Sequence, residues 1–453
     1  MDIAEPLESL AADLGLPAPE GRMAVSPTDD IYGSPYAVTA AAGASVGAAV
    51  WAVSVLDAMR RGGDPDGAEL DGRHAAVLFH SERLVRITEG GGGQHWGEVS
   101  GNYRTADGWL RIHANLARHR KAALSVLEAT DREELATAVE RWSGEELEAA
   151  ILDAGGVASI LRTRDQWRNH PQRTRVDELA LVDRRDVGDH APLRRGRWLE
   201  GVRVLDLTRV ISGPVAGRFL ASFGAQVLRV DPPLDDGLLL EIDTSQGKRR
   251  TALDLSKSDE RRHFDELVAN ADVLLHAFRP GTLPRLGYDE ARLLELRPHL
   301  ISAQLTAYGD RGPWGARRGF DSVVQVATGV AHHCGFDPRT GPSALPAQAL
   351  DHASGYLLAS GIIAALTSRA SGGPGAHVRV ALARTAQWLE TLPASGRGAV
   401  ARLADEVARP YLDVVGGTAW GELTHVRPAG RVGARAAAWD RVSPPRGHHE
   451  PVW

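Results

Sequence analysis

Asp351 opens an uncharged helical stretch, for no Asp, Glu, Lys or Arg lies between it and Arg369. Just before Ala353 to Leu366 it resembles an N-cap, where helix N–H groups and the helix dipole favour the ionised form. Such a carboxylate serves either as a nucleophile or as a plain helix cap. A second candidate is the run Gly90-Gly91-Gly92-Gly93 followed by Gln94. Without Cβ atoms, its main-chain N–H groups can approach an oxyanion closely, and the same run can also serve as a flexible linker. His332-His333-Cys334 invites a metal reading, but adjacent side chains point apart on regular elements and no acidic residue is spaced to help. Cys334 is the only cysteine, so no internal disulfide or Cys-rich zinc site is expected, and the expected compartment is the reducing cytoplasm.

The elements that must position these groups follow from periodicity. Val202 to Leu207 reads as a short apolar strand, Gly213-Pro214 as a breaker, Val215 to Phe223 as a helix and Ala225 to Val230 as a second strand. The alternation continues through strand Thr251 to Leu255, helix Ser258 to Ala271, strand Val273 to Phe278, helix Tyr288 to Leu296 and strand Leu300 to Tyr308. This predicts an α/β fold: a doubly wound, mostly parallel, Rossmann-like sheet. Neither G-x-G-x-x-G nor G-x-x-x-x-G-K-[ST] is present, which removes the two familiar phosphate-cradling loops. Ligands of such sheets still bind at the carboxyl ends of the strands, here Thr208 to Pro214, Asp231, Arg279 to Gly281 and Tyr308 to Gly312. Upstream, Asp107-Gly108 reads as a turn into a strand, Ser143-Gly144-Glu145-Glu146 as a capping-box helix start and Gly155-Gly156 as a helix stop, which together predict a smaller α+β domain.

The expected organisation is therefore a loose lead-in over 1–33, a degenerate partial repeat with the glycine loop over 34–94, and the small domain over 95–175. A charged linker over 176–198, the large domain over 199–390 and a C-terminal extension over 391–453 complete it. The repeat rests on an echo: the helix after Asp351 and the strand Val378 to Leu382 recur as the uncharged helix ending at Arg60-Arg61-Gly62-Gly63 and a strand Ala75 to Phe79. Setting Leu366 on Leu56 puts Asp351 on Ala41, or on Ala42 with a one-residue slip, so only the second copy has the carboxylate.

The residues Gly201 to Val210 with Ser212-Gly213-Pro214, Phe223 to Pro233, Gly247 to Leu255, Ala277-Phe278-Arg279-Pro280-Gly281, Arg285-Leu286-Gly287 and Gly319 to Gln325 together resemble the family III CoA transferases. The group includes formyl-CoA:oxalate and carnitine CoA-transferases. Leu350-Asp351-His352-Ala353-Ser354-Gly355 matches the family's nucleophile motif, so the resemblance implies Asp351 as the catalytic carboxylate, with Gly91, Gly92 and Gly93 in the loop that closes over it. It implies CoA contacts from Arg209, Lys248, Arg249 and Arg285 and from the backbone of Ser212 and Gly213. It also implies an acyl-CoA and a carboxylic acid as substrates, no permanently bound cofactor, no metal and a homodimer. Two features depart from the pattern: Ala277 stands where an asparagine is common, and the small domain precedes the large one, as in a truncated double or a circular permutation.

Composition is that of an ordinary globular protein. The 453 residues carry 52 basic and 58 acidic side chains, net −6, with 43% hydrophobic residues, which gives no sign of a nucleic-acid partner. The acidic, Pro-broken start Met1 to Pro6 predicts no export, and the uncharged span between Asp30 and Asp57, rich in Ala, Gly, Ser and Thr, predicts a buried helix and no membrane partner. The expected activity is CoA transfer through an aspartyl intermediate. The alternatives are an acyl-CoA racemase or isomerase, disfavoured because Phe320 stands where those relatives have histidine, and a non-catalytic CoA-binding protein.

Overall fold

The computed structural model describes residues 3–89, 96–232, 239–393, 400–401 and 403–453. The glycine run with Gly91, Gly92 and Gly93 lies outside the described residues. Seven strands form the main sheet: β1 (Asp183–His190), β2 (Arg203–Asp206), β3 (Gln226–Asp231), β4 (Arg249–Ala252), β5 (Val273–His276), β6 (Ile301–Thr306) and β7 (Pro374–Ala381). Their spatial order is β4-β3-β2-β5-β6-β7-β1, parallel throughout except for the last pair. The helices that matter for the site are α1 (Val38–Arg61), α2 (Ser212–Ser222), α3 (Ser258–Ala269), α4 (Asp321–Ala327) and α5 (Ala349–Ala370).

Strand alternation sorts the sheet's side chains into two layers. Val204, Val227, Val273 and Leu275 pack with residues of α1, α2 and α5, whereas Leu205, Leu228 and Leu274 pack with Phe264, Leu267 and Val268 of α3. Both faces are thus covered, which is why these strands read as continuous apolar runs. α1 and α5 are long and apolar enough to cross a membrane, yet both are buried in the core, where they pack against each other. A Cβ at Gly355 would lie 2.5 Å from the Ser212 carbonyl oxygen, so glycine there is what lets the start of α2 seat on α5.

A second sheet joins Gly101–Arg104, Trp109–Ile112 and Ala158–Ile160, antiparallel. It packs its own core of Leu110, Ile112, Leu135, Leu147 and Ile151 against helices Arg132–Val139 and Gly144–Asp153. Ser143 accepts from the Glu146 N–H at the helix start, and Gly155 takes φ 83° beyond its end.

Several sequence expectations change. The charged stretch over 176–198 contains β1, an edge strand on which Val187 alone is fully buried, so apolar periodicity had little to show. The lead-in holds a helix, Ala4–Asp13, whose Leu7, Leu10 and Ala11 are buried. Met23–Ser26 pairs parallel with Ala68–Asp71, and the C-terminal Arg431–Val432 joins the same sheet. The expected repeat strand Ala75 to Phe79 is instead the helix Gly72–Leu78, preceded by the strand Ala68–Asp71. α1 and α5 start with the same backbone turn, φ −76° and ψ 60° at both Ala37 and Gln348. Asp351, three residues past Gln348, therefore corresponds to Ala40, three past Ala37, and not to Ala41 or Ala42.

Candidate functional site

Asp351 is not the N-cap of its helix. That position is Gln348, and the Asp351 carboxyl lies in the first turn, 6% exposed. Its backbone N–H donates to Asp321 Oδ2 at 3.0 Å, and Asp321 also accepts from Gln325 Nε2. Among the described residues no side-chain hydrogen bond reaches the Asp351 carboxyl. Burial first, then the charges of Asp321 and Glu82, hold its pKa well above the ordinary value, which reverses the ionised-cap expectation.

The neighbouring His352 reaches the N-terminal part of the chain. Its Nε2 is 3.0 Å from Glu82 Oε2 with both side chains buried, and its ring stacks on Phe79 at 5.4 Å. Burial raises the Glu82 carboxyl, but the hydrogen bond and charge of His352 outweigh it and bring the pKa to about 2.

A cavity at Asp351 draws on three regions of one chain. Glu82 and Arg83 come from the N-terminal part, and Trp96, His113 and Asn115 from the small domain; Val210, Ile211, Phe320 and Gln348 come from the large domain. Val210 and Ile211 follow β2, next to the gap between β2 and β5 where the strand order reverses. A larger cavity, about 1180 Å³, lies elsewhere, against Asp71, His74, Tyr411 and Arg427. There Asp71 already accepts from Tyr411, and His74 is paired with the Arg427 carbonyl.

The predicted CoA contacts divide. Arg209 follows β2 and is half-buried, while Ser212 and Gly213 form the buried first turn of α2, with Ser212 Oγ unpaired. Lys248 cannot greet a phosphate: fully buried, its Nζ donates to Asp206 Oδ2 at 2.7 Å and to the Pro214 carbonyl at 2.8 Å. Burial lowers its pKa to about 8. It is an internal strut, because its partner Asp206 ends the core strand β2, two strands away from β4. Arg249 lies by the C-terminal residues, Nη2 donating to the Glu450 carbonyl at 3.5 Å, where His449 also receives the Arg250 N–H. Arg285 is exposed, bonded to Thr282 Oγ1 at 3.2 Å.

Arg209 has cationic company that sequence reading did not assemble. The pKa of His119 is driven to about 3 by burial first and then by Arg118, Arg318, Arg209 and Arg279. Arg279 was legible as a strand-end residue, and Arg318 stands two residues before Phe320. Arg118 comes from the small domain and carries no local signal. His332 stacks on Phe336 and His333 meets Tyr36 edge-on, and among the described residues no group of His, Cys, Asp and Glu is able to hold a metal ion.

Residues 199–398 match the family model for CoA-transferase family III. Over 206 residues the chain is 36% identical to a probable fatty acyl-CoA transferase of Mycobacterium tuberculosis, covering 42% of this chain and 52% of that one. It is 32% identical over 196 residues to an acetyl-CoA:oxalate CoA-transferase of Acetobacter aceti, covering 40% and 50%. A crystal structure of a Mycobacterium tuberculosis protein, 37% identical, superposes with a TM-score of 0.39 over 42% of this chain and 57% of that one. The chain spans about half the length of the curated relatives it matches.

Proposed function

We propose, from the match of residues 199–398 to the CoA-transferase family III model, that this chain is an enzyme that moves coenzyme A from an acyl-CoA to a carboxylic acid through an acyl anhydride on Asp351. The observation that carries this reading is the Asp351 carboxyl itself, buried, without a hydrogen-bond partner among the described residues and lining a cavity beside the carboxyl end of β2. A carboxylate short of hydrogen bonds is a stronger nucleophile once ionised, because no donor must be stripped from it before attack. One carboxylate oxygen attacks the thioester carbonyl and expels CoA thiolate. The thiolate then attacks the aspartyl carbonyl of the anhydride, releasing the donor acid and leaving an aspartyl thioester, which the acceptor carboxylate opens by the same two steps in reverse.

Arg118, Arg209, Arg279 and Arg318 form the cationic mouth suited to the phosphates of CoA, whose delocalised charge matches guanidinium donors. The backbone of Ser212 and Gly213 faces the same strand end, and Arg249 and Arg285 remain candidates for its outer phosphates. We assign Gly91, Gly92 and Gly93 the role of cover, since an anhydride survives only where water is excluded. The large domain is Rossmann-like in this reading, for β2 to β7 repeat the strand order 3-2-1-4-5-6. The compartment is the reducing cytoplasm, on the strength of a single cysteine whose buried thiol is pushed up to about 12. CoA thioesters enter as substrates with no resident cofactor. The homodimer that the family resemblance implies is part of this reading.

The test is peptide mass spectrometry after incubation with a panel of acyl-CoAs and quenching with hydroxylamine. A hydroxamate on Asp351, absent from Asp351→Asn, is expected. No adduct from any donor overturns the reading; exchange of deuterium at the acyl α-carbon would then make the protein a racemase or isomerase, and CoA binding alone a binding protein.

A further inference from the structure

We propose that His113 is a catalytic residue of this site, a neutral imidazole whose N–H donates to the oxyanion formed when Asp351 attacks the thioester; this rests on the acyl-transfer reading above. His113 follows the small-domain strand Trp109–Ile112, is 4% exposed and lines the cavity that holds Asp351. Its ring is fixed on two sides: it stacks on Phe320 at 3.9 Å and 15°, and it meets Trp96 edge-on at 6.0 Å. Phe320 is the N-cap of α4, whose first residue Asp321 holds the Asp351 backbone. The imidazole and the nucleophile are therefore positioned by one continuous set of contacts.

Among the described residues neither nitrogen of this ring has a hydrogen-bond partner, and Nδ1 is sealed from solvent. Buried polar atoms are rarely left so, and an unpaired one on a rigid element beside a reactive group points to a partner that arrives with the substrate. Burial first, then Arg111 on the adjoining strand and His119 on the following helix, lower its pKa and keep it neutral. Across the cavity stand Asp351, Glu82 and Arg83. A neutral imidazole can still donate a hydrogen bond without giving up its proton. As the Asp351 oxygen bonds to the carbonyl carbon, the π pair moves to the carbonyl oxygen, which accepts the His113 N–H. Collapse returns the pair, expels CoA thiolate and releases the hydrogen bond, so His113 ends the step unchanged.

The experiment compares wild type, His113→Phe and His113→Gln in single-turnover formation of the Asp351 hydroxamate from each acyl-CoA of the panel, with melting temperatures alongside. Phe keeps the stack on Phe320 and removes both nitrogens; Gln restores an N–H near the Nε2 position. Loss of one such donor is expected to slow acylation by about 10²- to 10³-fold, with the acyl-CoA concentration at half-maximal rate little changed, and His113→Gln to recover at least about tenfold of the loss. Folded His113→Phe with an unchanged acylation rate overturns the assignment while leaving the aspartyl reading intact. A parallel loss in Phe and Gln overturns it in favour of a packing role. No hydroxamate in wild type overturns both.

Discussion

At Asp351 the fold works against the charge that the chemistry needs. Its carboxyl ordinarily titrates near 3.8 and is held well above that by burial and by the charges of Asp321 and Glu82. The folded chain thus keeps the proton where the unfolded chain has lost it, and stability declines as pH rises from the unfolded value through the raised one. Asp351→Asn removes this penalty. The difference in melting temperature between Asp351→Asn and wild type is expected to grow in favour of the variant from acid to neutral pH in calorimetry, and a constant difference would refute the raised pKa. Acylation of wild type should climb over the same range, since only the ionised carboxylate attacks. Asp351 itself was legible from its motif and its place before an apolar helix. Its ionisation was not, because Asp321 lies 30 residues away and Glu82 on another part of the chain.

Between elements, the Glu82 to His352 pair ties the four-residue helix Ser81–Leu84 to the first turn of α5. Removing one partner of a buried pair strands the other. Glu82→Gln should therefore cost about 3 kcal/mol in urea unfolding, and the acid limb of the acylation profile should move to lower pH, because Glu82 raises Asp351. The strands of the main sheet were readable because each of β2, β3 and β5 sends alternate apolar side chains into two cores, a pattern that local spacing preserves. β1 was not, since an antiparallel edge strand exposes most of its charged residues. Lys248 misled for the opposite reason: its sequence neighbours are charged, but its partner Asp206 lies 42 positions back on a core strand. The contact of His113 with Phe320 joins residues far apart in the sequence and leaves no periodic trace.

Taken whole, the chain brings Glu82, Trp96, His113, Phe320 and Asp351 to one cavity without a second copy. Specific activity should accordingly follow the 48.5 kDa species and stay constant on dilution through any association seen by light scattering. A loss of activity that tracks dissociation would show that a second chain is required. The paired helices α1 and α5 carry one last consequence. In an assembly of two identical polypeptides every inherited change appears twice, at both symmetric places. Here Ala40 and Asp351 occupy matching turns of one polypeptide, so a change at either is inherited alone. The first copy is free to drift toward pure packing while the second stays under the discipline of chemistry, and substitution tolerance measured along the two helices should diverge most in their first turns.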